Sequence, residues 1–220
     1  MGINLIAITD HNASANIEAV QKAAEKFSIS VLPGMELQTK EEVHVLCLFD
    51  TLPQILQFQK IVDERLPNIK NNPDYFGDQL IVDQNGDFLR KEERLLITSA
   101  SLTLQEAFDE VEKLNGLFIP AHINRQANGL LEILGFVPPE IPFLALELSR
   151  HLTPGQARQK FPQIQSHQLI QNGDVHRLEE FIGSTYFEIM APTIDELKLA
   201  LQFKGGRSFT IKNDNQTYNR

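Results

Sequence analysis

The stretch Ile3-Asn-Leu-Ile-Ala-Ile-Thr-Asp-His-Asn12 opens with apolar, mostly β-branched or γ-branched side chains and closes on a carboxylate and an imidazole. A run apolar on both faces is the pattern of a strand buried in a parallel sheet, and Ile3 to Thr9 reads as such a strand. In α/β folds the C-terminal ends of parallel strands carry the chemistry. Asp10 and His11 sit at such an end.

The rest of the chain repeats the alternation. Asn12 or Ser14 is expected to cap a helix with Ile17, Val20, Ala24 and Phe27 on one face. Ile29 to Leu32 reads as a second buried strand closed by Pro33-Gly34, and Val43 to Phe49 as a third. Pro53 to Leu66 has Ile55, Phe58 and Val62 at helical spacing. Asn68 to Asp78 is polar and irregular, and Leu80 to Leu89 reads as a hairpin turning on Asn85-Gly86, a type I′ signal. Thr103…Glu106 is a capping box opening a helix that runs to Asn115-Gly116. Leu117 to Ala121 follows as a strand, Ala127 to Leu134 as a short helix, Phe143 to Leu148 as a strand, Thr153 to Lys160 as a helix and Leu169 to Gln171 as a strand. A second capping box, Thr193…Glu196, opens a helix to about Phe203, and Ser208 to Ile211 is a last strand. This order predicts an α/β fold with a mainly parallel sheet. Periodicity alone does not separate a barrel from an open sheet.

Composition limits the function. The 220 residues are 42% apolar and 22% charged, which suits one globular domain over 1–220 and excludes a disordered chain. The net charge of −9 gives no general attraction for phosphate backbones, so no long nucleic acid is expected as partner. A single cysteine, Cys47, makes neither a disulfide nor a thiolate zinc site and points to a reducing, cytoplasmic compartment. The apolar runs are too short to span a bilayer, so no membrane is expected. The start lacks the basic region of a signal peptide.

Polar residues recur beside the buried strands. Asp10-His11, Glu36, His44, His122 and Asp174-Val-His176 all fall there. Each has an ordinary structural reading when taken alone: a helix cap, a salt bridge, a packed core histidine, an Asx turn. As a set they are imidazoles and carboxylates without thiolate, the ligand chemistry of Zn²⁺, Mn²⁺ or Fe²⁺. Asp174 and His176, two residues apart in an extended segment, share a face. His151 and His167 lack this context and read as surface or structural residues. These residues by themselves reach a metal hydrolase on an α/β scaffold and do not separate phosphate esters from amides.

Five segments in order, Ile8-Thr-Asp-His-Asn12, Pro33-Gly-Met-Glu36, Glu42-Val-His-Val-Leu46, Ala121-His122 and Gly173-Asp-Val-His176, resemble motifs of the PHP (polymerase and histidinol phosphatase) family. The resemblance implies a distorted (β/α)7-type barrel with two or three divalent ions (Mn, Zn or Fe) at the strand ends, hydrolysing phosphate esters. It implies His11, Glu36, His44, His122, Asp174 and His176 as metal ligands. Asp10, Asp174 and His176 are the expected catalytic set, with Asp10 orienting His11. Arg125, Arg150 and Arg177, each close to a strand end or an implied ligand, are expected to bind substrate phosphate. A small phosphomonoester or nucleotide phosphodiester is the expected substrate, attacked by metal-activated water.

The sequence departs from the family in three places. Gly-Ser-Asp-x-His is here Asn172-Gly-Asp-Val-His176, and His-Pro is His122-Ile123; both keep the implied ligands. The family's opening H-x-H strand is absent, so the expectation is an N-terminally truncated barrel with a weakened metal position and a strand edge open to self-association. A catalytically inactive binding or regulatory module is the alternative. Residues 68–94 are expected to form an insertion or a lid.

Overall fold

The computed structural model describes residues 2–181 and 183–212. The chain forms two compact units, Asn4–Phe118 and, with residues 2–3, residues 119–212.

The first unit is built on strands β1 (Leu5–Ile8), β2 (Ser30–Gln38) and β3 (His44–Leu48), followed by β6 (Leu117–Pro120), the strand in which this unit ends. Their order is β1-β2-β3-β6. Helix α1 (Ile17–Ala24) links β1 to β2, as a parallel pair requires. It starts after Asn16 rather than at Asn12 or Ser14, and it stops before Phe27, whose ring is 66% exposed and outside the core.

Pro33-Gly34 does not end β2. It is the point where the strand changes partner. Residues Ser30 to Pro33 pair in parallel with Leu5 to Ile8, and Gly34 to Gln38 pair antiparallel with Leu48 to His44. Proline has no N–H to give a ladder, so the parallel pairing lapses there. It resumes in the same register at His11 and Glu36. Gly34 is required at the crossing: a Cβ would stand 2.9 Å from both Leu48 Cδ2 and Thr9 Cγ2.

The two faces of β2–β3 differ because alternate side chains point oppositely. Met35, Leu37, Val45 and Cys47 are fully buried on one face. Glu36, Gln38 and His44 occupy the other. Helix α2 (Leu52–Arg65) buries Ile55, Phe58 and Val62, and Phe58 meets Phe49 at 5.5 Å between ring centroids. Its N-terminus carries a capping box, Thr51…Gln54, and Pro53 in the first turn.

Residues 68–94 hold the one-turn helix α3 (Pro73–Phe76) and the hairpin of β4 (Leu80–Val82) and β5 (Phe88–Lys91). The hairpin forms where the sequence places it, with a different turn. Gly86 has φ +84, but Asn85 is not left-handed, so the turn is not type I′. Asp83 Oδ1 instead accepts the N–H groups of Asn85 (2.8 Å) and Asp87 (3.0 Å). Helix α4 (Leu104–Lys113) then opens on the expected capping box, and Asn115 follows it at φ +56.

The second unit contains α5 (Leu130–Leu134), β7 (Leu146–Glu147) parallel to β8 (Leu169–Ile170), α6 (Pro154–Lys160) and α7 (Ile194–Leu201). β10 (Ser208–Ile211) pairs antiparallel with β9 (Thr185–Glu188), a strand that periodicity did not single out. Its core includes Ile123, Leu130, Leu146, Ile164 and Ala200. At α7 the Thr193 hydroxyl caps Glu196 N–H, while the Glu196 carboxylate turns away to Arg207 and Met190 N–H.

The α/β class is therefore as expected. The expected distorted, N-terminally truncated (β/α)7-type barrel is not confirmed: among the described residues the strands form one four-stranded and three two-stranded sheets, and β2–β3 is antiparallel. Among these residues no helix is long and apolar enough to cross a membrane.

Candidate metal centre

Three of the six implied ligands meet in the first unit. His11 lies opposite Glu36 as an isolated parallel bridge, fixed by Glu36 N–H donating to Asp10 O (3.2 Å) and Asn12 N–H donating to Glu36 O (3.0 Å). His44 pairs with Gln38, which places its ring diagonally across from Glu36 on the same face. Sheet register alone thus sets His11, Glu36 and His44 side by side. Two of the three come from positions that look unpromising in isolation, mid-strand Glu36 and strand-leading His44.

The carboxylate sits between the two imidazoles. Glu36 Oε1 is 2.7 Å from His44 Nδ1, and Oε2 is 4.0 Å from His11 Nδ1. The rings stand 5.0 Å apart. Glu36 is 6% exposed and His44 9%. One ligand atom from each residue lies within 4.8 Å of the others. Ligands about 2.0–2.2 Å from one ion are separated by up to roughly 4.4 Å, so small side-chain rotations close the set on a cation. Two neutral imidazoles and one carboxylate form a donor set that suits a divalent first-row ion. The residues present fit a metal.

Asp10 is exposed, and its Oδ2 accepts from Asn16 Nδ2 (3.1 Å). Asn16 also grips the β4 edge, donating to Leu80 O (3.2 Å) and accepting from Val82 N–H (3.1 Å). The hairpin segment is thereby fastened beside the Asp10-His11 corner.

The other implied residues belong to the second unit. His122 is 1% exposed, with φ +29, and its N–H donates to Glu147 Oε2 (3.1 Å). The same carboxylate accepts Asn172 Nδ2 at Oε1 (2.9 Å). Glu147 is 3% exposed and braces both motif loops; its place at the end of a strand was the available signal. Asp174, at φ +48, forms an ion pair with Arg125. His176 Nδ1 lies 3.1 Å from Asp174 O, and its ring is largely exposed. Glu180 accepts from His176 N–H (2.7 Å), Arg177 N–H (3.0 Å) and Arg150 (3.1 Å). These donors, the His176 amide foremost, hold the Glu180 carboxyl below its usual range. Arg125 and Arg150 are thus engaged with carboxylates of their own unit, and Arg177 is exposed.

Neither a family model nor a curated protein sequence matches this chain. Solved structures do. Over 94% of its length the chain matches the lesion-specific Endonuclease Q of Pyrococcus furiosus, with a TM-score of 0.68 and 20% identity. Endonuclease Q bound to a 27-mer duplex with an abasic lesion at its active site gives 0.65 and 19%, again over 94%. The chain spans half the length of both proteins. A Bifidobacterium adolescentis protein, provisionally named a metal-dependent phosphoesterase, gives 0.52 and 16%, over 80% of this chain and 78% of the other. At these identities the likeness is one of fold, and it supports the fold side of the PHP resemblance.

One expectation is overturned here. A small substrate with no long nucleic acid was anticipated from the acidic charge, yet Endonuclease Q, of the same fold, takes duplex DNA. Net charge reports the field averaged over the whole surface, whereas substrate meets the local field of a cleft.

Proposed function

We propose that this chain is a metal-dependent phosphoesterase acting on phosphodiester bonds of a polynucleotide, with DNA as the first substrate class to assay. The observation that carries the reading is the His11–Glu36–His44 group at the sheet end of a chain with the Endonuclease Q fold. His11, Glu36 and His44 would hold a divalent cation; the family resemblance names His122, Asp174 and His176, within the second unit, as further ligands. Such an ion supplies an acidified water and charge stabilisation at phosphoryl oxygens. Arg125, Arg150 and Arg177 would bind the non-bridging oxygens bidentately. For Arg125 and Arg150 this requires leaving Asp174 and Glu180.

The Arg125–Asp174 pair favours a second reading, an inactive module, because it occupies a carboxylate that a complete site would need. Metal analysis with an activity assay separates the two. The purified chain is loaded with Mn²⁺ or Zn²⁺, its bound metal is counted, and a labelled duplex with or without an abasic site is incubated with it. Bound metal with EDTA-sensitive cleavage supports the enzyme. Failure to bind metal or to cut polynucleotide in any form supports the module.

A further inference from the structure

Asn12, which follows the ligand His11, is fully buried and sits in the left-handed region at φ +50. Asparagine tolerates that conformation better than most residues. All of its hydrogen-bonding groups are engaged. Its main-chain N–H donates to Glu36 O (3.0 Å) and its carbonyl accepts Gln59 Nε2 (3.2 Å). Its side-chain Nδ2 donates to Leu96 O (2.7 Å) and Thr98 O (2.8 Å), and Oδ1 accepts Gln38 N–H (3.1 Å). Four pieces of chain converge on this residue: the segment after β1, the end of β2, helix α2 and the 96–98 loop. Two of these partners, Glu36 and Gln38, belong to the strand segment that pairs with β3 to place His44.

We infer that Asn12 is a positioning residue of the metal centre: its amide locks His11 against Glu36 by clamping the 96–98 loop and β2 to one point. This rests on the metal reading above. The chemistry calls for an amide. A carboxylate has the same shape but no donor, so it would present an oxygen to two carbonyl oxygens.

The test is Co²⁺ titration of the full chain, followed by its visible d–d absorption, with far-UV circular dichroism on the same samples. The variants are Asn12→Asp and Asn12→Gly. Glycine accepts φ +50 without strain, so it removes the clamp and keeps the backbone, even if the aspartate variant does not fold. The expected result is a folded Asn12→Gly whose Co²⁺ affinity falls roughly 10–100-fold, the size usual for residues that orient ligands. Its band shape at saturating metal should also change, which a merely less stable protein would not show. Wild-type spectrum and affinity in Asn12→Gly would overturn the inference and leave the metal reading standing. Absence of any Co²⁺ band in the wild type would overturn both.

Discussion

Glu36 and His44 are bound to each other across two antiparallel strands, Oε1 to Nδ1 at 2.7 Å, although neither lies directly opposite the other in the ladder. Diagonal neighbours on one face of a sheet reach each other only when both side chains are long. The pair leaves the second carboxylate oxygen turned to His11.

Glu36→Gln keeps the shape and removes the charge. The expected outcome is loss of Mn²⁺ or Co²⁺ binding by about 100-fold or more, since in the proposed centre the carboxylate would be the anionic ligand. Isothermal titration calorimetry reads this directly; unaltered affinity would remove Glu36 from the centre.

Arg125→Ala should leave stability within about 1 kcal/mol of wild type, because partly exposed ion pairs contribute about 0–1 kcal/mol. On the proposed function, polynucleotide cleavage should nonetheless weaken, chiefly through KM, because the proposed phosphate contact of Arg125 would be lost. A thermal melt and steady-state kinetics on one preparation separate the effects; normal KM would assign Arg125 to the ion pair alone.

Gly34→Ala is expected to destabilise by about 1–3 kcal/mol, the usual range for overpacking, because its new methyl meets Leu48 and Thr9 at 2.9 Å. Urea denaturation measures it. A neutral result would show that β1 and β3 can part at this point.

Acid should weaken the second unit through Glu196. Its hydrogen bonds from Arg207 and then from Met190 N–H lower the carboxyl from its ordinary range to about 2. A depressed folded-state value means stability that is complete above the unfolded value and is lost as pH falls from about 5 toward 2. In Glu196→Gln, melting temperature measured across that window should slope less steeply than in wild type.

Cys47 is fully buried, and that burial pushes its thiol well above the ordinary range. Reaction with a thiol reagent should therefore be slow in the native protein and rapid in denaturant. Fast native labelling would contradict the packed face of Met35, Leu37, Val45 and Cys47.

Sequence by itself determined the local grammar of this protein. The capping box at Thr103, the hydroxyl cap at Thr193, the helical stripe Ile55–Phe58–Val62 and the hairpin turning at Asn85-Gly86 are dictated by neighbours in the chain, and each is found, although the Glu196 carboxylate that would complete the expected box at Thr193 bonds Arg207 and Met190 N–H instead. The same local view identified the imidazole and carboxylate residues worth watching. Tertiary structure alone decided that β2 runs through Pro33-Gly34 and changes partner there, which lets one strand carry Glu36 between His11 and His44. It also turned Asn12 from an expected helix cap into a buried clamp. Both depend on groups distant in the chain meeting in space, and register between strands is set by packing on a shared face rather than by any residue's own preference.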